Sequence, residues 1–158
     1  MISQTAEYAL RAIVYLADQD QETARTTNQI AETTMIPQGY LAKIMQQLGR
    51  SKLVTAQRGL NGGFMLARSA AELTVLEVVN AIDPVQRFHE CPLGLHGINL
   101  CPLHRKLDDA ARAIEETFGT TTIAALLEVP LNRRPLCRFP GMETVLPGCN
   151  GVCPTTQS

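Results

Sequence analysis

The sequence has no tryptophan and few other aromatic residues. Aromatic side chains make up 4% of the 158 residues, whereas hydrophobic residues make up 45% and charged residues 18%. A core must therefore be built from Ala, Leu, Ile, Val and Met. The length favours one compact domain with an added helix and a tail.

Long apolar segments are also missing. No run approaches the roughly 20 apolar residues that a membrane-spanning helix needs, so we expect no membrane association. The first residues, Met1 to Glu7, have neither the basic region nor the apolar stretch of a secretion signal. We therefore expect a cytoplasmic protein.

Cysteine is absent from the first 90 residues, and the total of five is odd. In a reducing compartment, cysteines more often bind metals or perform redox chemistry than form structural disulfides. One segment, residues 89–104, combines two cysteines with every histidine of the chain. The residues concerned are Cys91, Cys101, His89, His96 and His104, and the other cysteines are Cys137, Cys149 and Cys153.

Acidic residues are absent between Glu32 and Glu72. The same interval contains basic residues, namely Lys43, Arg50, Lys52, Arg58 and Arg68. The net charge of −1 argues weakly against nucleic-acid binding. Phosphate binding depends on the local field, however, so the interval favours a DNA-binding surface.

Hydrophobic periodicity predicts a mainly α-helical fold with one small β-hairpin. Two short helices with a tight turn between them are typical of a helix-turn-helix, and the hairpin after them is typical of a wing. The predicted helices of this part cover residues 3–18, 27–34, 38–49 and 73–82, and the predicted strands cover residues 53–58 and 64–67.

The second half is predicted to contain a loop and a long helix. The loop covers His89 to His104, the helix begins at Leu103, and a short helix covers Thr120 to Glu128. Four acidic residues are predicted to form the solvated face of the long helix: Asp108, Asp109, Glu115 and Glu116. The predicted units are a winged helix-turn-helix domain (1–83), a cluster-binding loop (84–104), a dimerisation helix with a following short helix (105–128), and a flexible cysteine-containing tail (129–158).

Candidate DNA contacts follow from the winged-helix pattern. The first residues of the second helix of the turn face the bases of the major groove. Gln38 can pair with adenine, Lys43 can reach guanine or phosphate, and Tyr40 can fix a phosphate. Arg58, at the base of the wing, can enter the minor groove.

Several motifs together resemble the IscR/NsrR/RirA group of bacterial winged-helix regulators. They are Glu7-Tyr-Ala-Leu-Arg-Ala, Pro37-x-x-Tyr-Leu, Arg58-Gly-x-x-Gly-Gly-Phe, and cysteines in a loop before a long helix. The resemblance covers residues 1–128. It implies a homodimer that is built on the long helix and binds a two-fold DNA operator. It also implies an iron–sulfur cluster that senses iron, redox state or nitric oxide.

This resemblance also implies a ligand set, from which the sequence departs. Relatives have three loop cysteines and a fourth ligand, either a histidine or an acidic residue of the partner subunit. Here Cys91 and Cys101 match the first and last cysteines, and the middle one is missing. His104 matches the histidine ligand, and Glu7 of the partner subunit matches the acidic one.

Two loop cysteines favour a 2Fe–2S cluster with mixed ligands over a 4Fe–4S cluster. Zinc also accepts two cysteines and two histidines. His89 and His96 compete with the proposed ligands. The three tail cysteines could replace the missing ligand, bind a second metal, form a redox disulfide or remain reduced thiols.

The sequence therefore predicts a DNA-binding transcriptional regulator, with repression favoured, that senses redox state, iron or nitric oxide. No catalytic triad or phosphate-binding loop is present, so we do not expect an enzyme. One alternative is a winged-helix regulator that uses zinc or thiol oxidation without a cluster. The other is a redox or electron-carrier protein.

Overall fold

A computed structural model describes residues 2–19, 23–59, 62–94 and 99–128. His96 and the three tail cysteines lie outside the described residues. The predicted mainly helical fold with a two-stranded antiparallel hairpin is confirmed. In chain order the elements are α1 (Gln4–Ala17), α2 (Thr27–Thr34), α3 (Gln38–Arg50), β1 (Val54–Gln57), β2 (Gly63–Leu66), α4 (Val75–Ile82), α5 (Pro102–Thr120) and α6 (Ile123–Leu127).

Hydroxyl side chains define where three of the helices begin. The Ser3 hydroxyl accepts a hydrogen bond from the backbone N–H of Ala6 at the start of α1. Thr26 and Thr74 form reciprocal capping boxes at the starts of α2 and α4, with Gln29 and Glu77 as their partners. These contacts satisfy backbone donors that have no partner within the helix.

The turn between α2 and α3 is built by two adjacent backbone signals. Met35 ends α2 in the left-handed conformation, with φ of 57°. Pro37 comes directly before α3 and cannot extend α2, because it has no backbone N–H. The predicted buried stripe of α3 is confirmed, and its residues are Leu41, Ile44, Met45 and Leu48.

The hydrophobic core is centred on α1, which packs against α2, α3, α4 and α6. Ala6, Ala9 and Ala12 are fully buried, and these small side chains let neighbouring helices approach α1 closely. Larger side chains such as Ile13 and Leu48 fill the space between the helices. We call α1–α4 with the hairpin, residues 2–82, the head.

The wing is joined to the segment before α2. Strands β1 and β2 pair antiparallel, from Val54 opposite Leu66 to Gln57 opposite Gly63. Arg25 and Phe64 also exchange two backbone hydrogen bonds of 2.8 Å. A Cβ at Gly63 would lie 2.4 Å from the Arg25 carbonyl oxygen, so this approach requires glycine. The sequence did not predict this isolated bridge.

The chain returns to the head after α5. Thr122 forms a β-bridge with Thr74, and the Ile123 N–H donates to the Leu73 carbonyl at 2.8 Å. Ile123 is fully buried in the core of the head. The C-terminal end of α5 is therefore fixed to the start of α4.

Membrane-spanning character is missing from the described helices. None of them combines the length and the apolar content that a membrane span requires.

Candidate metal centre and nucleic-acid interface

Two thiols and one imidazole meet at the N-terminal end of α5. The Nδ1 atom of His104 lies 3.1 Å from Cys101 Sγ and 3.7 Å from Cys91 Sγ. The potential ligand atoms of the three residues all lie within 4.8 Å of one another. The structure thus brings together three residues that the sequence predicted as ligands.

His104 lies in the first turn of α5, where the predicted loop (His89 to His104) and the predicted helix (from Leu103) overlap. Cys101 is the N-cap of α5, and Pro102 occupies the first turn, a position that tolerates its missing N–H. The helix consequently starts one residue earlier than predicted. Since residues three apart share one helix face, this start turns Cys101 and His104 toward each other.

The N-terminus of α5 favours the thiolate form of Cys101. The backbone N–H groups of His104 and Leu103 and the thiol of Cys91 lower the pKa of Cys101, although burial opposes this shift. The thiolate is the form of cysteine that binds metals and attacks oxidants. The start of α5 therefore favours both metal binding and reaction with oxidants at Cys101.

Cys91 reaches the group from a different part of the chain. Its side chain is buried, and its carbonyl oxygen accepts a 2.9 Å hydrogen bond from the Gly94 N–H. Gly94 has φ of 65°, which glycine adopts without strain. A turn therefore follows directly after the cysteine.

An ion-pair cluster joins the segment before Cys91 to α5. Arg87 contacts the Asp108 carboxylate through Nε at 2.6 Å and through Nη2 at 2.9 Å, and its Nη1 lies 2.6 Å from a Glu115 oxygen. These contacts hold the pKa of Asp108 well below its usual range, with Arg87 as the main cause. The prediction that Asp108 and Glu115 belong to a solvated face was therefore wrong.

Phe88 connects this cluster with the thiol–imidazole group. Its backbone N–H donates to Asp108 at 2.9 Å. Its ring centroid lies 5.2 Å from that of His104, with the two planes 45° apart. The sequence did not single out Arg87 or Phe88, because their partners lie far along the chain and leave no local pattern.

Two predicted ligands lie outside the group within one chain. Glu7 forms an ion pair with Arg11 at 2.5 Å, and Arg11 also donates to the Thr34 carbonyl at 3.3 Å. Ligation by Glu7 of the partner subunit stays a prediction. His89 is exposed and is not one of the three grouped residues.

The four predicted DNA contacts are all exposed. Gln38, Tyr40 and Lys43 lie on the first turns of α3, and Arg58 directly follows β1. The side-chain amide of Gln38 donates to the Asn28 side chain on α2. This contact links the start of α3 to α2, and the sequence had not marked Asn28.

The donor set fits a metal or a cluster. Two sulfur ligands and one imidazole are found in mixed-ligand 2Fe–2S centres and in zinc sites. In the described ranges they provide three of the four ligands that such centres use. A fourth must come from another residue, another chain or solvent.

The fold and the site together define a winged-helix protein with a thiol–imidazole group at the start of a long helix. The family model described as "Rrf2: Iron-dependent Transcriptional regulator" matches residues 2–129. The chain belongs to the Rrf2 family and is a DNA-binding transcriptional regulator, as the motifs of the sequence predicted.

Individual relatives agree with this assignment. An HTH-type transcriptional regulator of Aquifex aeolicus strain VF5 is 29% identical over 134 residues, which cover 82% of this chain and 92% of the relative. The structure of T. potens IscR aligns with a TM-score of 0.68 and 23% identity, covering 81% and 86% of the two chains. CymR, the global cysteine regulator of B. subtilis, aligns with a TM-score of 0.67 and 23% identity, covering 80% and 95%. The structural matches support the winged-helix fold.

Proposed function

We propose that this regulator senses redox state, iron or nitric oxide through an iron–sulfur cluster. Cys91, Cys101 and His104 would hold the cluster, with a 2Fe–2S centre favoured and a 4Fe–4S centre second. The observation that carries the proposal is the convergence of these three ligand atoms within 4.8 Å. The family's description as iron-dependent supports the same conclusion.

The fourth ligand is proposed to be Glu7 of the partner subunit. Within its own chain Glu7 is half-exposed and paired with Arg11 at the side-chain level. Ligation across a subunit interface would make the centre depend on dimer formation. A cluster bound there would supply a group whose charge and stability respond to oxidants, iron supply and nitric oxide.

A homodimer is proposed to form along α5. This helix has 19 residues, of which only Ala111 is buried within the chain. Leu103 and Leu107 are 64% and 46% exposed, and they lie one turn apart on one face. An apolar stripe of this kind favours packing against a second copy of the helix.

The head is proposed to bind its operator through α3 and the wing. The exposed Gln38, Tyr40 and Lys43 would enter the major groove, and Arg58 would reach the minor groove.

We expect Arg58→Ala to weaken operator binding by roughly 10-fold or more, since a lost base or phosphate contact costs about 1–3 kcal/mol. Lys106→Ala, which removes an exposed charge of α5, is the control in the same binding titration. Unchanged binding by Arg58→Ala would remove the wing from the interface.

The cluster is tested by anaerobic purification of the full chain. We expect a coloured protein with visible absorption, a spin-resonance signal after reduction, and matching counts of iron and sulfide per chain. Cys91→Ser, Cys101→Ser and His104→Ala should lose these signals. His89→Ala, which changes an exposed histidine outside the group, should retain them. A colourless wild-type protein that contains zinc would overturn the cluster proposal.

The proximity of the two thiols favours a thiol switch as the second candidate. In that case Cys91 and Cys101 would form a disulfide while hydrogen peroxide takes up their two electrons and two protons and becomes two waters. Thiol alkylation before and after peroxide treatment tests this candidate. We expect two reactive thiols to disappear together, with a parallel change in DNA binding, in a protein that contains no iron.

A further inference from the structure

The segment before Cys91 has no regular secondary structure. Between the end of α4 and Cys91 the backbone forms neither helix nor strand. The position of Cys91 is therefore not determined by a helix or a strand directly before it. In the described part of the chain, Arg87 and Phe88 make hydrogen bonds from this segment to α5.

Residues 87–91 run along one face of α5. His104, Asp108 and Glu115 are four and seven residues apart, so their side chains share this face. Arg87 binds Asp108 and Glu115, and Phe88 contacts both Asp108 and His104. Cys91, three residues further, then reaches His104.

We propose that Arg87 is a positioning residue that holds Cys91 beside Cys101 and His104 before a metal binds. This inference rests on the proposed metal centre. The three contacts of the Arg87 guanidinium leave this side chain little freedom, and paired contacts to one carboxylate fix its plane. Prearranged ligands lose less conformational entropy when they bind a metal.

The surroundings of the cluster distinguish it from other ion pairs on α5. The side chains of Arg87, Asp108 and Glu115 are 27%, 16% and 30% exposed. Arg112, on the same helix, is 56% exposed and contacts its partners at 3.6 and 3.9 Å. Exposed ion pairs of that kind contribute little to the free energy of folding. Arg112→Gln is therefore a matched control for Arg87→Gln.

The cluster is separate from the hydrophobic core. None of its three residues belongs to the core of the head. We therefore expect Arg87→Gln to keep the helical circular dichroism of the wild type and to lose only the stability that the ion pairs contribute. If Arg87→Gln does not fold, Asp108→Asn takes its place, because it removes the charge pair and keeps an acceptor for the Phe88 N–H.

The first measurement requires no bound metal. In full-length chains that carry Cys137→Ser, Cys149→Ser and Cys153→Ser, only Cys91 and Cys101 remain as thiols. Phenylarsine oxide bonds to two neighbouring thiols and releases one water. We expect Arg87→Gln to bind it roughly 10-fold more weakly than its parent, since the thiols lose effective concentration. Arg112→Gln should match the parent.

The second measurement is an anaerobic Co(II) titration of the full chain, followed by the sulfur-to-cobalt absorption. We expect Arg87→Gln to bind Co(II) roughly 10- to 100-fold more weakly, as for other residues that orient metal ligands. Arg87→Lys should fall between the variant and the wild type.

The outcomes separate the two proposals. Equal affinity of Arg87→Gln and its parent for phenylarsine oxide, or of Arg87→Gln and wild type for Co(II), overturns the positioning role, while the metal centre stands if wild type binds Co(II). A wild type that binds neither Co(II) nor a cluster overturns the metal centre. The arsenical titration then decides the positioning role by itself.

Discussion

The head and the α5 region, residues 87–120, are stabilised by different forces. The head contains nearly all of the buried apolar side chains, from Ala6 to Val79. In the described part of the α5 region, the buried residues are Cys91 and Ala111. Apolar burial is largely independent of metals and pH, whereas thiols and ion pairs respond to both. The head therefore supplies most of the stability of the fold, whereas the groups that respond to metals and pH lie beside α5.

The largest effect is expected when the core of the head is truncated. Leu41 is fully buried, and Tyr40 beside it is 61% exposed. We expect Leu41→Ala to lower the free energy of unfolding by about 2–5 kcal/mol, because it leaves a cavity. Tyr40→Ala should change it by less than about 0.5 kcal/mol. Urea unfolding measures both values, and equal losses would contradict the division between core and DNA-binding face.

In the α5 region, the loss of apolar surface should change the dimer dissociation constant rather than the free energy of unfolding. We expect Leu107→Glu to raise the dimer dissociation constant by roughly 10- to 100-fold, since burying one leucine contributes about 1.5–3 kcal/mol. The free energy of unfolding of the head should stay nearly constant, because Leu107 is exposed within its chain.

Lys106→Glu is the control for this dimer experiment, because Lys106 is adjacent and its side chain is 82% exposed. Sedimentation at several concentrations measures the dissociation constant. A wild-type chain that stays monomeric would remove α5 as a dimer interface.

The smallest effect is expected from pH. Arg87, and then the Phe88 N–H, lower the pKa of Asp108 from its ordinary value of 3.8. A carboxylate with a lowered pKa stabilises the folded state above its unfolded pKa, and this contribution disappears as pH falls toward the folded pKa. We therefore expect the stability difference between wild type and Asp108→Asn to be constant from about pH 7 to 5 and to narrow below about pH 4.

Urea unfolding across this pH range tests the expectation, with Asp109→Asn as the control. Asp109 is 44% exposed, and its basic partners lie at 3.4 and 3.6 Å. The free energy of unfolding of Asp109→Asn should differ little from that of wild type at every pH tested. A difference for Asp108→Asn that is equally small at pH 7 would show that the ion-pair cluster does not stabilise the α5 region.

Local signals explain why most of the head could be predicted from the sequence. Ser3, Thr26 and Thr74 begin helices through contacts three residues away, and these contacts are visible as short motifs. The buried stripe of α3 follows from its helical period. The link between Arg25 and Phe64 was missed, because pairing across 39 positions leaves no local pattern.

The candidate site was predicted in part for the same reason. Cys91, Cys101 and His104 lie in one short segment, and the family resemblance indicated them as ligands. Their placement around the start of α5 is visible only in the structure. The cluster around Arg87 was missed, since its partners lie 21 and 28 positions away. A run of acidic residues on a helix is typical of a solvated surface, and only the folded chain shows which of them face Arg87.

Helix α5 is attached to the head by backbone hydrogen bonds at its C-terminal end only, as far as the described residues show. The backbone pairing of Thr122 with Thr74 anchors its C-terminal end to the head, and the cysteine–histidine group lies at its opposite end. A helix of 19 residues is about 28 Å long, so a tilt of about 4° at the anchor corresponds to about 2 Å at the far end. A change of about 2 Å in the proposed metal centre would therefore correspond to a rotation of the head by about 4° relative to α5.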